Sequence, residues 1–557
     1  MRVTFGDLAI DCERRQLVRG GREVHLSGKA FALLELLLQR RPNAVKHAEI
    51  IRHLWPETFV SPSNLATLVQ EIRNALDDDA RRPRFVRTIF AYGYAFIGQE
   101  DDAHESAATL SVAVLPFSLA DDAQYISDGI TDSLINALAE DPELRVMARS
   151  TVFRFKHSRL TPQQIGQQLR VDAVVAADIR QHGDHVTVAA ELVSTGDGAR
   201  LWGERYERKA SDLIGLEDDV AKGISRALQL DRAPREKSTA GKRRDEAHAL
   251  YLRGQYALNQ RSAASIRSAA DDFRQAMAVD PHYAPPYAAL ADTFTLAARY
   301  VEVPTAELAG CARQAAEKAL ELDPSLPEAH VSMASVHDTC DWNWPAAERE
   351  YQQAIALRPG DALAHQWYAL LLTRLGRAGE ARPQIQLALR LDPLSPRLNL
   401  AAANIHYYAG AHDEAANACA KALALDPAFP FAHLQMALIL IQQEREAEAR
   451  ASLERSGSSA AAIAARAVLC SRAHDTAQAE AVISQLATRG ANYELAVVAA
   501  ALRRNHLALE SLERACARRN VYASYAVVDP LLAPLHGDRF EELLRQAGLM
   551  SFPLSEE

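Results

Sequence analysis

The feature that most constrains this chain is a punctuation of prolines at a nearly fixed period. Asp280-Pro281, Asp323-Pro324, Arg358-Pro359, Asp392-Pro393 and Asp426-Pro427 follow one another at spacings of 43, 35, 34 and 34 residues. A unit this short cannot bury its own apolar face, so it must stack on copies of itself. Alanines stand at fixed offsets inside the units: Ala347 and Ala354, Ala381 and Ala388, Ala415 and Ala422. Each pair is seven residues apart, about two helical turns, and so faces the same neighbour, where only a small side chain lets helices cross closely. The proline cannot continue the helix and sets the turn into the next unit. The expectation is five helix pairs from about Asp245 to Pro427. Past Pro427 the pattern decays: Ala449 still keeps its place, pairs run to about Arg518, and the stretch from Asp529-Pro530 to Gly548 caps the end.

Spacing, alanines and prolines together resemble the tetratricopeptide repeat. That resemblance implies a concave surface suited to an extended protein or peptide.

A chain of 557 residues needs more than one core. Two polar stretches, Gly98 to Ala108 and Asp231 to Arg244, read as linkers. They divide the chain into domains at 1–98, 109–230 and 245–428, with degenerate repeats and a cap at 429–557. The fold class expected is multidomain α+β: a winged helix-turn-helix, an α/β layer domain, then an all-α solenoid. The net charge of -10 excludes a protein that coats nucleic acid along its whole length. Residues 1–100 nevertheless carry 15 Lys and Arg against 12 Asp and Glu, while the remainder carries 47 against 60. A mildly basic head on an acidic body permits local DNA contact.

Residues 2–26 alternate around Gly20-Gly21, as short antiparallel strands do. Helical patterns follow at Ala30 to Arg40, His47 to Trp55 and Ser63 to Leu76, then a hairpin pattern from Arg84 to Ile97 around Gly93. Leu26-Ser27, Leu54-Trp55, Val86-Arg87-Thr88 and Gly93-Tyr94 resemble the OmpR/PhoB-type effector domain over roughly residues 1–98. The resemblance implies double-stranded DNA as partner, with the third helix in the major groove and the hairpin at the adjacent minor groove. By position on that helix, Asn64, Thr67, Gln70, Glu71, Arg73 and Asn74 form its exposed face. Asn and Gln suit adenine edges, and Arg73 suits guanine or phosphate. Arg81, Arg82, Arg84 and Arg87 are the approach cations, with Tyr92 at the hairpin tip. The chain departs from the family in placing Glu71 where a carboxylate would face phosphate, and Ala91-Tyr92 and Ala95 where arginines are customary. Weak or partner-assisted DNA binding is therefore expected.

In the middle, LSVAVLPF reads as a buried strand and Ser127-Asp128-Gly129 as the capped start of a helix. Further strands fit Leu144 to Ala148, Asp172 to Ile179, Val186 to Val193 and Leu201 to Tyr206. SVAVLPF, SDGITDSLINALA and GARLWGERYER resemble the TolB-N-terminal-like domain. Asp128, Glu204 and Arg205 are candidate ligand residues there, with a helix cap and a paired strand edge as the simpler reading.

Nothing points to catalysis. Gly28-Lys29 lacks the rest of a phosphate loop, and H-E-x-x-H and G-x-S-x-G are absent. Some class III adenylate cyclases share the middle-plus-repeat body, but the head here is a winged helix. Cys12, Cys311, Cys340, Cys419, Cys470 and Cys516 are scattered without a C-x-x-C pair, so reduced thiols are expected, with no metal and no cofactor. The N-terminus lacks a signal-peptide pattern and no apolar run reaches about 18 residues, so a cytoplasmic chain without membrane contact is expected. Two functions compete. One is a transcription regulator whose head binds promoter DNA and whose repeats sense a protein or ligand, with RNA polymerase a candidate partner and a homodimer an open alternative. The other is an interaction scaffold whose winged helix docks protein.

Overall fold

The computed structural model describes residues 2–5, 8–11, 15–19, 22–40, 44–55, 62–78, 83–89, 92–97, 110–119, 124–182, 185–209, 211–228, 242–260, 262–297 and 305–549. The chain divides into two compact units, 1–109 and 110–557.

The first unit opens with a four-stranded antiparallel meander: β1 (Arg2–Phe5), β2 (Leu8–Asp11), β3 (Gln16–Arg19) and β4 (Arg22–Glu23). Helix α1 (Gly28–Gln39) follows, its first turn capped by the Ser27 hydroxyl, which accepts from the Ala30 N–H at 3.3 Å. Strand β5 (Val45–Lys46), helices α2 (His47–Leu54) and α3 (Pro62–Leu76), and the hairpin β6 (Val86–Ile89) and β7 (Gly93–Phe96) complete it. Leu33, Leu34 and Leu37 of α1 meet Ile50, Val69, Ile72 and Phe96 in one core. The hairpin is pinned by β5, giving the order β5-β7-β6. Gly93 makes that pairing possible, since a Cβ there would lie 1.8 Å from the Val45 carbonyl oxygen.

In the second unit, β8 (Leu110–Val114), β9 (Ser118–Leu119), β10 (Leu144–Val146), β11 (Ala173–His182), β12 (His185–Ser194) and β13 (Arg200–Lys209) form one sheet. Its order is β10-β8-β11-β12-β13, parallel on the first three and antiparallel on the last three, with β9 beside β11. Helices α4 (Gln124–Leu138), α5 (Arg149–Val152), α6 (Pro162–Leu169) and α7 (Leu213–Ala227) accompany it. Helix α4 begins earlier than its sequence suggests, so Ser127 and Asp128 are buried within it and do not cap it. The Ser127 hydroxyl donates to the Phe117 carbonyl at 2.6 Å, and Asp128 accepts from Lys156 Nζ at 2.5 and 2.7 Å. Glu204 accepts from the Tyr206 hydroxyl and Arg205 is exposed on the outer strand β13. Asp128, Glu204 and Arg205 thus serve separate local contacts.

Eight helix pairs follow among the described residues. They are α8 (Lys242–Asn259) with α9 (Ala263–Val279), α10 (Pro285–Ala297) with α11 (Thr305–Leu322), and α12 (Pro327–Val336) with α13 (Trp344–Leu357). Next come α14 (Ala362–Arg374) with α15 (Ala378–Leu391), α16 (Pro396–Tyr408) with α17 (His412–Leu425), and α18 (Pro430–Gln442) with α19 (Glu446–Arg455). The last are α20 (Ala460–Arg472) with α21 (Thr476–Thr488) and α22 (Asn492–Ala501) with α23 (Asn505–Ala517). Two 3-10 turns, Val521–Tyr525 and Pro530–Leu535, and α24 (Asp538–Gln546) are the last elements among the described residues. The periodic alanines from Ala347 to Ala449 are all fully buried between helices. The pairing persists through three units beyond Pro427, because burial of small residues, as at Ala479 and Ala508, can stack helices without the proline turn.

The Asp of each Asp-Pro turn has a mechanism. Asp280, Asp323 and Asp426 each accept from the backbone N–H two residues on, at 2.9–3.1 Å, closing an Asx turn. Asp392 is used differently: its carboxylate accepts from the Ser150 hydroxyl and, at 2.7 Å, from that of Thr151. The Ala148 N–H donates to Leu391 at 2.8 Å and the Gly360 N–H to Ala139 at 3.2 Å. The sheet domain is therefore seated directly on the repeat turns. Of the stretch read as a linker, residues 242–244 are already helical and 231–241 lie outside the described residues; the sheet domain and the repeats belong to one unit.

Candidate nucleic-acid interface

Helix α3 has two faces. Leu65, Val69, Ile72 and Leu76 point into the core, which orients Asn64, Thr67, Gln70 and Asn74 outward, all exposed. These four sequence-derived candidates share one face. The Gln70 amide donates to the Asn74 side-chain oxygen at 2.9 Å, one turn apart, holding both at the surface.

Two residues expected on that face are turned away from it. Arg73 is 6% exposed, and its guanidinium donates to the Val86 carbonyl at 2.9 Å and the Thr88 hydroxyl at 2.8 Å, both on β6. It ties the helix to the hairpin and offers nothing to a base. Position along the helix could not reveal this, because a long side chain at the edge of the apolar stripe goes wherever an acceptor lies. Glu71 accepts from the Ser27 N–H at 2.6 Å and the Ser27 hydroxyl at 2.9 Å. Its carboxylate anchors α3 to the start of α1, so the anticipated clash with phosphate has no structural basis.

The end of α3 is built to aim the hairpin. Asp77 adopts the left-handed conformation (φ 57°), and Asp78 accepts from the backbone N–H groups of Arg84 at 2.6 Å and Val86 at 2.7 Å. These bonds deliver Arg84 and Arg87 to the surface, where both are exposed. Arg84 also lies 5.2 Å from the Phe85 ring centre. Tyr92 is 42% exposed, its ring 5.6 Å from Lys46 Nζ. Lys46 went unrecognised as a candidate. Only the pairing of β5 with β7, between segments some fifty residues apart, brings it to the hairpin. Arg81 and Arg82 lie outside the described residues.

The arrangement can present amide donors and acceptors from a helix, beside separate cations from a hairpin. Base edges call for the former and phosphates for the latter. Among the described residues no group of three or more His, Cys, Asp or Glu is placed to hold a metal ion.

Comparison with known proteins places this geometry. Residues 21–96 match the family described as transcriptional regulatory protein, C terminal. Residues 107–222 match that described as HilA/YgeH-like transcriptional regulator, second domain. The chain is similar to the transcriptional regulator HilA of Salmonella typhimurium, 23% identical over 421 residues, covering 74% of this chain and 75% of that one. It is similar also to a putative adenylate cyclase 3 of Rhizobium meliloti, 28% identical over 231 residues; that match covers 40% of this chain and only 39% of the relative. Among solved structures, the RstA DNA-binding domain of Klebsiella pneumoniae in complex with the RstA box is 27% identical, covering 17% of this chain and 95% of that one at a TM-score of 0.16.

Proposed function

We propose that the chain is a DNA-binding transcription regulator, with an OmpR/PhoB-type winged helix ahead of a tetratricopeptide-repeat body, that reads promoter DNA through Asn64, Thr67, Gln70 and Asn74 while Arg84, Arg87 and Tyr92 hold the flanking backbone. The observation that carries this reading is the division of labour on α3. Arg73 and Glu71 fasten the helix inward, leaving a row of side-chain amides and a hydroxyl facing out. Amides at that spacing match adenine edges in the major groove.

The repeats supply the input, taking a protein or peptide; RNA polymerase is one such partner and a second copy of the chain another. Both matched families are transcriptional regulators, which supports a non-catalytic role despite the likeness to a putative cyclase. No helix among the described residues is long and apolar enough to cross a membrane, which is compatible with action in the cytoplasm.

The test is a map of full-length protein crosslinked to the host genome, beside the Gln70→Ala/Asn74→Ala variant. Discrete promoter sites that vanish or shift in the variant support the reading. Identical maps for the two proteins would overturn it.

A further inference from the structure

The C-terminal residues do more than end the solenoid. The Arg519 guanidinium lies 4.9 Å from the ring of Trp342, just past α12. Tyr525 stacks on Tyr408, the last residue of α16, at 4.7 Å and 18°, and the Arg374 guanidinium of α14 lies 5.2 Å from the same ring. Tyr522 stacks on Tyr493 of α22 at 6.2 Å and 24°, and the Tyr493 hydroxyl donates to Asp529. These contacts come from the third, fourth, fifth and eighth pairs. Units of a solenoid touch only their neighbours, so a segment meeting all four must cross the hollow of the curve. Residues 519–535 form a strap across the groove that a partner would be expected to fill.

The chemistry under the strap joins end-capping to recognition. Ala523, Ala526, Leu532 and Leu535 are buried in the core shared with the repeat helices. Beside this aliphatic cover lie ring stacks, cation-ring pairs and a carboxylate. Asp338 and Arg374 form a buried ion pair at 2.6 Å in the wall. Among the described residues the buried indole N–H groups of Trp342 and Trp344 have no acceptor. Stacks and cation-ring pairs are individually weak, so a competing segment can replace them one at a time.

We propose that the groove is a peptide-recognition surface whose resident ligand is the chain's own strap. Its partner is an extended segment with the same order of side chains: an aromatic, a second aromatic three residues on, then a carboxylate followed by proline four residues later, as in Tyr522, Tyr525 and Asp529-Pro530. Binding such a segment releases the strap. The proposal rests on the reading of the repeats as the input, and it names what that input recognises.

The probe is a fluorescent synthetic peptide spanning Val521–Leu535, with a scrambled peptide as control. Full-length wild type is expected to bind it weakly and Tyr525→Ala/Asp529→Ala at least about tenfold more tightly, because the resident segment no longer competes. A variant with an unchanged circular dichroism spectrum that binds no better than wild type overturns the proposal. Should the variant fail to fold, a protease site inserted between Arg519 and Asn520 of the wild type replaces it. After cleavage, excess labelled peptide is expected to enter the complex as the strap leaves. A strap that stays through gel filtration with no label incorporated is an integral part of the core, and the proposal fails. Peptide exchange with no change in DNA binding would sink the input reading and leave this proposal standing. A protein partner that alters DNA binding while the peptide never exchanges would do the reverse.

Discussion

The guanidinium of Arg73 on α3 bridges to the carbonyl of Val86 and the hydroxyl of Thr88 on β6, at 2.9 and 2.8 Å. The link fixes the angle between the helix that would enter a groove and the hairpin beside it. Hydrogen bonds from a charged donor contribute about 1.5–3 kcal/mol. Arg73→Ala is therefore expected to lower the stability of the N-terminal unit by roughly that amount and to weaken all DNA sequences alike. A melt on residues 1–109 with binding to two unrelated duplexes measures both. An unchanged melt with altered sequence preference would return Arg73 to the role of base reader.

Gln70 and Asn74 are expected to behave in the opposite way. Both are exposed and bonded mainly to each other, so Gln70→Ala should leave the melt within about 0.5 kcal/mol of wild type. Discrimination against substituted bases should fall by about 1–3 kcal/mol, the range of a bidentate amide contact. Competition binding with a panel of point-mutated sites reads this directly.

Arg87 stands exposed on β6 next to the buried Val86. If it meets a phosphate, Arg87→Ala should weaken every duplex similarly and reduce the slope of log affinity against log salt by about 1. A salt titration showing an unchanged slope would remove it from the interface.

In the solenoid, Ala388 is fully buried where α15 meets its neighbours, whereas Glu380 on the same helix is exposed and paired with Arg377 at 2.7 Å. Ala388→Leu should overpack that contact at a cost of about 1–3 kcal/mol. Glu380→Ala loses a surface pair worth about 0–1 kcal/mol. Denaturant midpoints for the two full-length variants give the comparison, and equal midpoints would contradict the packing.

Asp392 supplies a pH dependence. Burial against α5 pushes its carboxyl above the ordinary value of 3.8, although hydrogen bonds from Ser150 and Thr151 pull the other way. The folded state thus keeps a proton that the unfolded chain has already lost. Its stabilising contribution is complete below the ordinary value and is lost as pH rises through the raised one. Asp392→Asn should flatten the fall in stability across that interval, as denaturation at a series of pH values would record. A slope identical to wild type would mean the carboxylate is not held as the geometry requires.

Features that depend on neighbours along the chain were legible before any fold was known. The alanines at two-turn spacing and the proline turns involve residues within a few positions of one another, and the 34-residue period repeats that local pattern along the chain. The winged helix was legible for the same reason: α1, α3 and the hairpin each carry their own periodicity. The destinations of long polar side chains were set by the three-dimensional fold. Arg73 turned from the DNA face to β6, Glu71 to Ser27, Asp392 to Ser150 and Thr151 some 240 residues away, and Tyr525 back to Arg374. A charged or aromatic side chain several bonds long will take the partner that best offsets its desolvation, and that partner is chosen by the fold in three dimensions.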